Sequence, residues 1–170
     1  MSVINTRIQD ELNKQINREF EAAYLYFSMA LYCESRSLDG IGQWMRVQAN
    51  EEVQHGLKIC KYMQDLGCPV NLKDIRSNQP NFESLVAVFE KALENETDLA
   101  DRFNKLSAVA LEEKDNITYN FLKWFLEEQV EEIALVGQVL DKVKMANEQG
   151  NALLILNDEL GRRSPEKVEA

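Results

Sequence analysis

Proline occurs three times in this chain, at Pro69, Pro80 and Pro165, and none of the three falls inside a run of helix-spaced apolar residues. Five of the seven glycines (Gly40, Gly42, Gly67, Gly150, Gly161) also stand between such runs or at their ends. Proline removes a backbone donor and glycine loosens the chain, so both punctuate helices. The pieces left between them are long: about 5–36, 41–66, 82–113 and 116–149, then a short fifth at about 152–160. The four long pieces carry apolar residues at helical spacing, with no strand-like alternation. The expected fold class is all-α, with four helices each about 40 to 50 Å long. Helices of that length in one small domain pack side by side as a four-helix bundle.

The connections set the topology. Ser37 to Gly40 and Lys114–Asp115 are short turns, which make antiparallel neighbours. The segment from Gly67 to Pro80 is long enough to run the height of the bundle, since extended chain covers about 3.3 Å per residue. It is one long crossover, and its Val70, Leu72 and Ile75 are expected to pack along the bundle. Asn81 is the expected N-cap of the third helix. Residues 1–170 read as a single domain: a bundle at about 5–149, a short fifth C-terminal helix at about 152–160, and a polar tail at 162–170 expected to fray.

Composition narrows the function. With 19 basic and 29 acidic residues the net charge is −10, which argues against nucleic acid or an anionic membrane as partner. No apolar run can span a bilayer and no N-terminal stretch reads as a signal peptide, so a cytoplasmic location is expected. Cys33, Cys60 and Cys68 form no CxxC pair and fit free packing thiols. Gly56 and Gly137 sit mid-helix, where close helix approach is the expected reason.

The buried stripes carry acids where leucines belong. The first reads Ile8, Leu12, Ile16, Glu19, Ala23, Tyr26, Ala30, Cys33, and the second Ile41, Met45, Gln48, Glu52, His55, Ile59, Met63, Leu66. The third, Leu85, Phe89, Ala92, Glu96, Leu99, Phe103, Leu106, contains Glu96. The fourth, Ile117, Phe121, Trp124, Glu128, Glu132, Leu135, Val139, Val143, contains Glu128 and Glu132. Glu19, Glu52, Glu96 and Glu132 each fall roughly 17 to 24 Å from their helix starts, near the midpoint, so all four should meet at one level. Four unpaired carboxylates in an apolar core are prohibitively costly. No Lys or Arg on these stripes neutralises them at that level, so a cation must. Oxygen ligands plus one imidazole suit iron or manganese. Glu52-Val53-Gln54-His55 supplies Glu-x-x-His spacing, which puts both side chains on one helix face. Facing carboxylates can bridge two ions, which makes a dinuclear site the natural reading.

The pattern resembles the ferroxidase centre of the ferritins, specifically the prokaryotic non-haem ferritins. The carrying segments are Asn17-Arg18-Glu19-Phe20, Asn50 to His55, Glu94-Asn95-Glu96 and Phe121 to Glu132. The resemblance implies one iron held by Glu19, Glu52 and His55, and a second by Glu52, Glu96 and Glu132 with Gln129 close by. It gives Tyr26 and Gln129 catalytic roles beside the metals and makes Trp124 a neighbour of the site. A third iron would map to Glu51, Glu128 and Glu131, with Glu132 shared. No haem is expected, since the haem-binding methionine of bacterioferritins is here Val53, and the second Glu-x-x-His of those relatives is here Gln129-Val130-Glu131-Glu132.

The implied function is an iron store with ferroxidase activity: Fe(II) is oxidised with O2 or H2O2, and ferric oxyhydroxide is deposited in the cavity of a homo-oligomeric shell, expected to hold 24 subunits. In that family the short fifth helix packs with symmetry mates at four-fold axes. Acids lining the three-fold pores of animal ferritins map to Tyr119 and Leu122 here, which leaves the route of iron access open. The rivals are a non-catalytic metal store, a DNA-protecting mini-ferritin and a purely structural bundle. The mini-ferritins use first-helix histidines, which this chain lacks.

Overall fold

A computed structural model describes residues 4–76, 81–147 and 150–164. It contains five helices: α1 (Thr6–Glu34), α2 (Asp39–Asp65), α3 (Leu85–Glu112), α4 (Asn116–Ala146) and α5 (Gly150–Leu160). The expected tail at 162–170 is described only as far as Ser164, and Pro80 and Gln149 also lie outside the described residues.

Side chains at the starts of α1, α3 and α4 satisfy free backbone donors there, whereas Leu38 before α2 makes no such bond. Asn5 Oδ1 accepts from Ile8 N at 3.0 Å and opens α1. Ser84 Oγ accepts from Ala87 N at 3.0 Å, so Ser84, not the expected Asn81, caps α3. Asp115 Oδ1 accepts from both Ile117 N and Thr118 N at the start of α4. The helices end on left-handed residues: Ser37 (φ 59°) turns α1 into α2, Lys114 (φ 57°) turns α3 into α4, and Gly67 (φ 70°) follows α2.

Helix α1 packs on α2 and α3, α3 packs on α4, and α5 lies against α2 and α4. The crossover after α2 is tied to α1 by polar contacts as well as by Cys68 and Val70, which pack against the core. Asn13 Nδ2 donates to Pro69 O (3.2 Å), while Asn13 Oδ1 accepts from Asn71 N (2.7 Å) and Asn17 Oδ1 from Lys73 N (3.2 Å). Val70 is half-buried, whereas Leu72 and Ile75 are exposed, contrary to expectation.

The predicted stripes of α1 and α3 are buried throughout, and that of α2 is buried except for half-buried Leu66. In α4 the first half of the stripe is rotated by one residue. Thr118, Leu122, Phe125, Gln129 and Glu132 face inward, Ile117 is exposed, and Phe121, Trp124 and Glu128 are half-buried. Thr118 is drawn inward by Tyr62 of α2, whose hydroxyl lies 2.8 Å from Thr118 Oγ1. Phe121 then stacks on the Tyr62 ring at 3.8 Å from outside the core.

The apolar core is divided. One part gathers Tyr26, Trp44, Met45, Phe89 and Val136, the other Ile8, Leu12, Ile59, Phe103 and Phe125. Between them lies the polar level that the stripes foretold. Gly56 is tight, because a Cβ there would stand 2.8 Å from Phe20 Cε1, but nothing lies within 4 Å of a Cβ at Gly137. Close approach within the chain therefore accounts for Gly56 and not for Gly137. Cys33, Cys60 and Cys68 form no disulfide, and burial pushes the Cys33 thiol up to about 12, which leaves it inert.

Candidate metal centre

Glu19, Glu52, Glu96 and Glu132 all lie buried at the division of the core, one from each long helix. Glu19, Glu52 and His55 each bring one ligand atom within 4.8 Å of the others. His55 Nδ1 stands 3.2 Å from Glu52 Oε2 and 3.9 Å from Glu19 Oε2. Burial together with the charges of Glu96 and Glu19 acts on Glu52, which makes it the hub of the cluster. Its i, i+3 spacing to His55 on α2 puts the imidazole on the same face.

Amide and hydroxyl donors orient the acids. Gln15 Nε2 donates to Glu19 Oε1 at 2.6 Å, one turn earlier on α1. Tyr26 OH, fully buried, donates to Glu96 Oε1. Gln129 Nε2 donates to Glu96 O (3.0 Å) and Glu96 Oε2 (3.1 Å). Gln48 Nε2 donates to Glu132 Oε2 at 2.8 Å. Trp124 stands edge-on to His55 with ring centroids 5.5 Å apart.

Burial dominates the electrostatics. It pushes Glu19 up to about 7, against the hydrogen bonds from Glu52 and Gln15 that hold it down. Burial and the Glu96 charge push Glu132 up to about 8. Glu52 rises well above the carboxylate range through burial and the charges of Glu96 and Glu19, and burial raises Glu96. Burial, with Lys58 nearby, lowers His55 to about 4. The imidazole is thus neutral and able to offer a lone pair, while the acids hold protons where a cation would serve as well. At the centre two buried atoms, Glu19 Oε2 and His55 Nε2, have no hydrogen-bond partner. Carboxylate oxygens with one imidazole, and an orphaned carboxylate oxygen beside Nδ1, fit a hard to borderline divalent cation such as Fe(II).

The residues expected for a third ion are not gathered in this way. Glu51 is buried but ion-paired with Arg163 (2.8 Å), Glu128 is half-buried and Glu131 is exposed. Among the described residues, the Glu19–Glu52–His55 group alone meets the 4.8 Å spacing. Three features of the site escaped the sequence. Gln48 stood on the α2 stripe as a polar break, a signal left unread. Gln15 lies four residues before Glu19, off the α1 stripe. Arg163 belongs to a segment read as a frayed tail, where nothing marked it.

Fold and centre together define a class: helical bundles whose mid-level is a buried carboxylate–imidazole cluster built for cations. A profile described as a ferritin-like domain matches residues 9–146, and the chain belongs to the ferritin family. A bacterial non-heme ferritin of Campylobacter jejuni is 41% identical over 144 residues, covering 85% of this chain and 86% of that protein. One from Staphylococcus saprophyticus is 37% identical over 167 residues, covering 98% and 100%. Among solved structures, an open pore ferritin from the archaeon Archaeoglobus fulgidus superposes with a TM-score of 0.92 at 39% identity, covering 95% of this chain and 99% of that one.

Proposed function

We propose that this protein stores iron and oxidises Fe(II) at a dinuclear centre within each subunit. The observation that carries the reading is Glu52, one of four buried acids from four helices, grouped with Glu19 and His55 and 3.2 Å from His55 Nδ1. A carboxylate in that position can serve two ions at once. Glu19, Glu52 and His55 would bind one Fe(II), and Glu52, Glu96 and Glu132 the other. Gln129 and Tyr26 hold Glu96 in place, and Gln48 holds Glu132.

The chain's residues manage protons. Fe(II) substrate displaces the protons held by the raised carboxyls, so binding weakens as the pH falls. Each Fe(II) gives up one electron. O2 takes two electrons and two protons to become H2O2, or H2O2 takes the same to become two waters. The carboxylates favour the more highly charged Fe(III), which draws the oxidation forward. Ferric ions then hydrolyse to an oxyhydroxide mineral.

Assembly into a 24-subunit shell would supply the cavity. Leu154 and Ile155 of α5, 63% and 68% exposed, support packing of that helix against symmetry mates. Leu122 is fully buried within its own bundle and cannot line a pore, so of the two positions that match the animal three-fold acids only Tyr119 could face a channel. Among the described residues no helix is long and apolar enough to cross a membrane.

The test is absorbance in the ferric-oxo region after aerobic protein is mixed with about two Fe(II) per chain. A fast, saturable rise over the protein-free control supports the ferroxidase. A rise no faster than the control leaves a bundle that at most stores metal.

A further inference from the structure

The segment after α5 brings a cation to the edge of the carboxylate layer. Arg163 N is hydrogen-bonded to Leu160 O at 3.3 Å, which turns the chain back toward α2. Arg163 Nη2 donates to Glu51 Oε2 at 2.8 Å, and Nη1 donates to Gln48 Oε1. The guanidinium carbon stands 5.0 Å from the centroid of the Trp44 ring. The two partners of the ion pair are nearly withdrawn from water, with Arg163 at 15% and Glu51 at 7% side-chain exposure. This is a planar fork spread over two acceptors and backed by an aromatic ring, an arrangement that suits arginine and not lysine.

The fork also decides how Gln48 faces. A primary amide has one oxygen and one NH2 end. With its oxygen held by Arg163, its NH2 must point at Glu132, and it does so at 2.8 Å. One chain of contacts therefore runs Arg163–Gln48–Glu132, from the residue after α5 into the centre.

We propose that Arg163 is a built-in counter-cation which occupies Glu51, so that a third metal ion at Glu51 and the docked arginine exclude one another. The inference rests on the dinuclear reading above and deepens it. Arg163 restricts each centre to two tightly held ions and positions Glu132 through Gln48. A third ion binds only by expelling the arginine, which loosens Gln48 and the segment that follows α5. Loading of the centre and docking of that segment are thereby linked, and linkage acts in both directions.

The test is calorimetric titration of the assembled, metal-free protein with Zn(II), which is redox-inert, using the parent, Arg163→Gln and Arg163→Lys. The parent should take up two tight ions per chain and a third at least about tenfold more weakly. In Arg163→Gln the third should tighten by at least about tenfold, the first should hold and the second, served by Glu132, should weaken by a few-fold at most, and adding Glu51→Gln should abolish the gain at the third. Arg163→Lys keeps the charge without the fork and should fall between the two. An unchanged or weaker third site in Arg163→Gln, with the first site intact, overturns the exclusion. A parent that binds no Zn(II), or binds it unaffected by Glu52→Ala, overturns the dinuclear reading instead. Particle size by light scattering, measured on each variant, excludes disassembly as the cause.

Discussion

Gly40, in the first turn of α2, lies against the backbone carbonyl of Asn157 in α5, so closely that a Cβ on residue 40 would stand 1.9 Å from that oxygen. The same two helices are joined by Asn157 Oδ1, which accepts from Ile41 N at 3.0 Å. Gly161 closes the contact from the other side, where its own Cβ would lie 2.9 Å from Gly40 Cα. Gly40 is therefore a glycine because two backbones meet there. Its φ is not in the left-handed region, unlike those of Gly67 and Gly150.

Gly40→Ala should unseat α5. The clash is with backbone, which cannot swing aside as a side chain does. Undocking exposes Leu156 and Leu160 and breaks the Asn157 contact, for a loss of about 2 to 4 kcal/mol. Thermal unfolding should show a clearly lower midpoint, and light scattering should show smaller particles. A melting curve matching the parent's would mean that α5 does not sit on α2.

Glu52→Ala should damage the chemistry more than any other single change at the centre, because Glu52 is grouped with His55 and Glu19 and feels the Glu96 charge as well. The fast phase of Fe(II) oxidation should fall at least about tenfold, and tight Zn(II) binding should drop from two ions to one or none. Stability of the metal-free fold should change little, within about 1 kcal/mol, since the lost packing is offset by relief of a buried acid. Oxidation at the parent's rate would remove Glu52 from the site.

The raised carboxyls give the metal-free protein an unusual dependence on pH. Glu132 titrates at about 8 in the fold, through burial and then the Glu96 charge, against 4.5 as its ordinary value. The folded state therefore keeps a proton that the unfolded chain has lost. Stability contributed by this group falls as pH rises from 4.5 to about 8 and then levels off. His55, lowered from 6.5 to about 4, acts oppositely, but only below about 6.5. Between pH 6.5 and 8 the acids act alone. The metal-free protein should melt lower at pH 8 than at 6.5, and Glu132→Gln should shrink that difference by on the order of 1 kcal/mol. Zn(II) should restore the midpoint most at the higher pH. Identical pH profiles for parent and variant would show that Glu132 is not held protonated.

Much of the bundle was legible because burial writes itself into sequence as spacing. The α1 and α3 stripes name residues that are all buried, and the acids within them were visible as breaks. In α4 the aromatic rings of Phe121 and Trp124 misled. Large rings can lie half-buried along a helix seam, so they mark its edge as readily as its centre. The residues truly inside, Thr118 and Gln129, are polar and satisfied by distant partners that spacing does not reveal. The same limit hid Asn13 and Asn17, which hold the crossover, and Arg163, whose partners lie more than a hundred residues away. Hydrogen bonds across such distances follow from the fold and leave no periodic trace.

Tyr26 offers two separable roles, electron donor and holder of Glu96. Its hydroxyl is fully buried and donates to Glu96, while burial and the Glu96 charge keep the phenol protonated well past its ordinary range. Tyr26→Phe removes the donor and keeps the ring. Glu96 then loses a partner in a dry site, at about 1 to 2 kcal/mol of stability. If Tyr26 acts only by holding Glu96, oxidation should slow by a few-fold with its amplitude intact at two Fe(II) per chain, and Zn(II) stoichiometry should stay at two. A fast phase that keeps its initial rate but loses amplitude would instead assign Tyr26 to electron supply. Stopped-flow absorbance reads both quantities from one trace, so rate and amplitude decide between holding and donating.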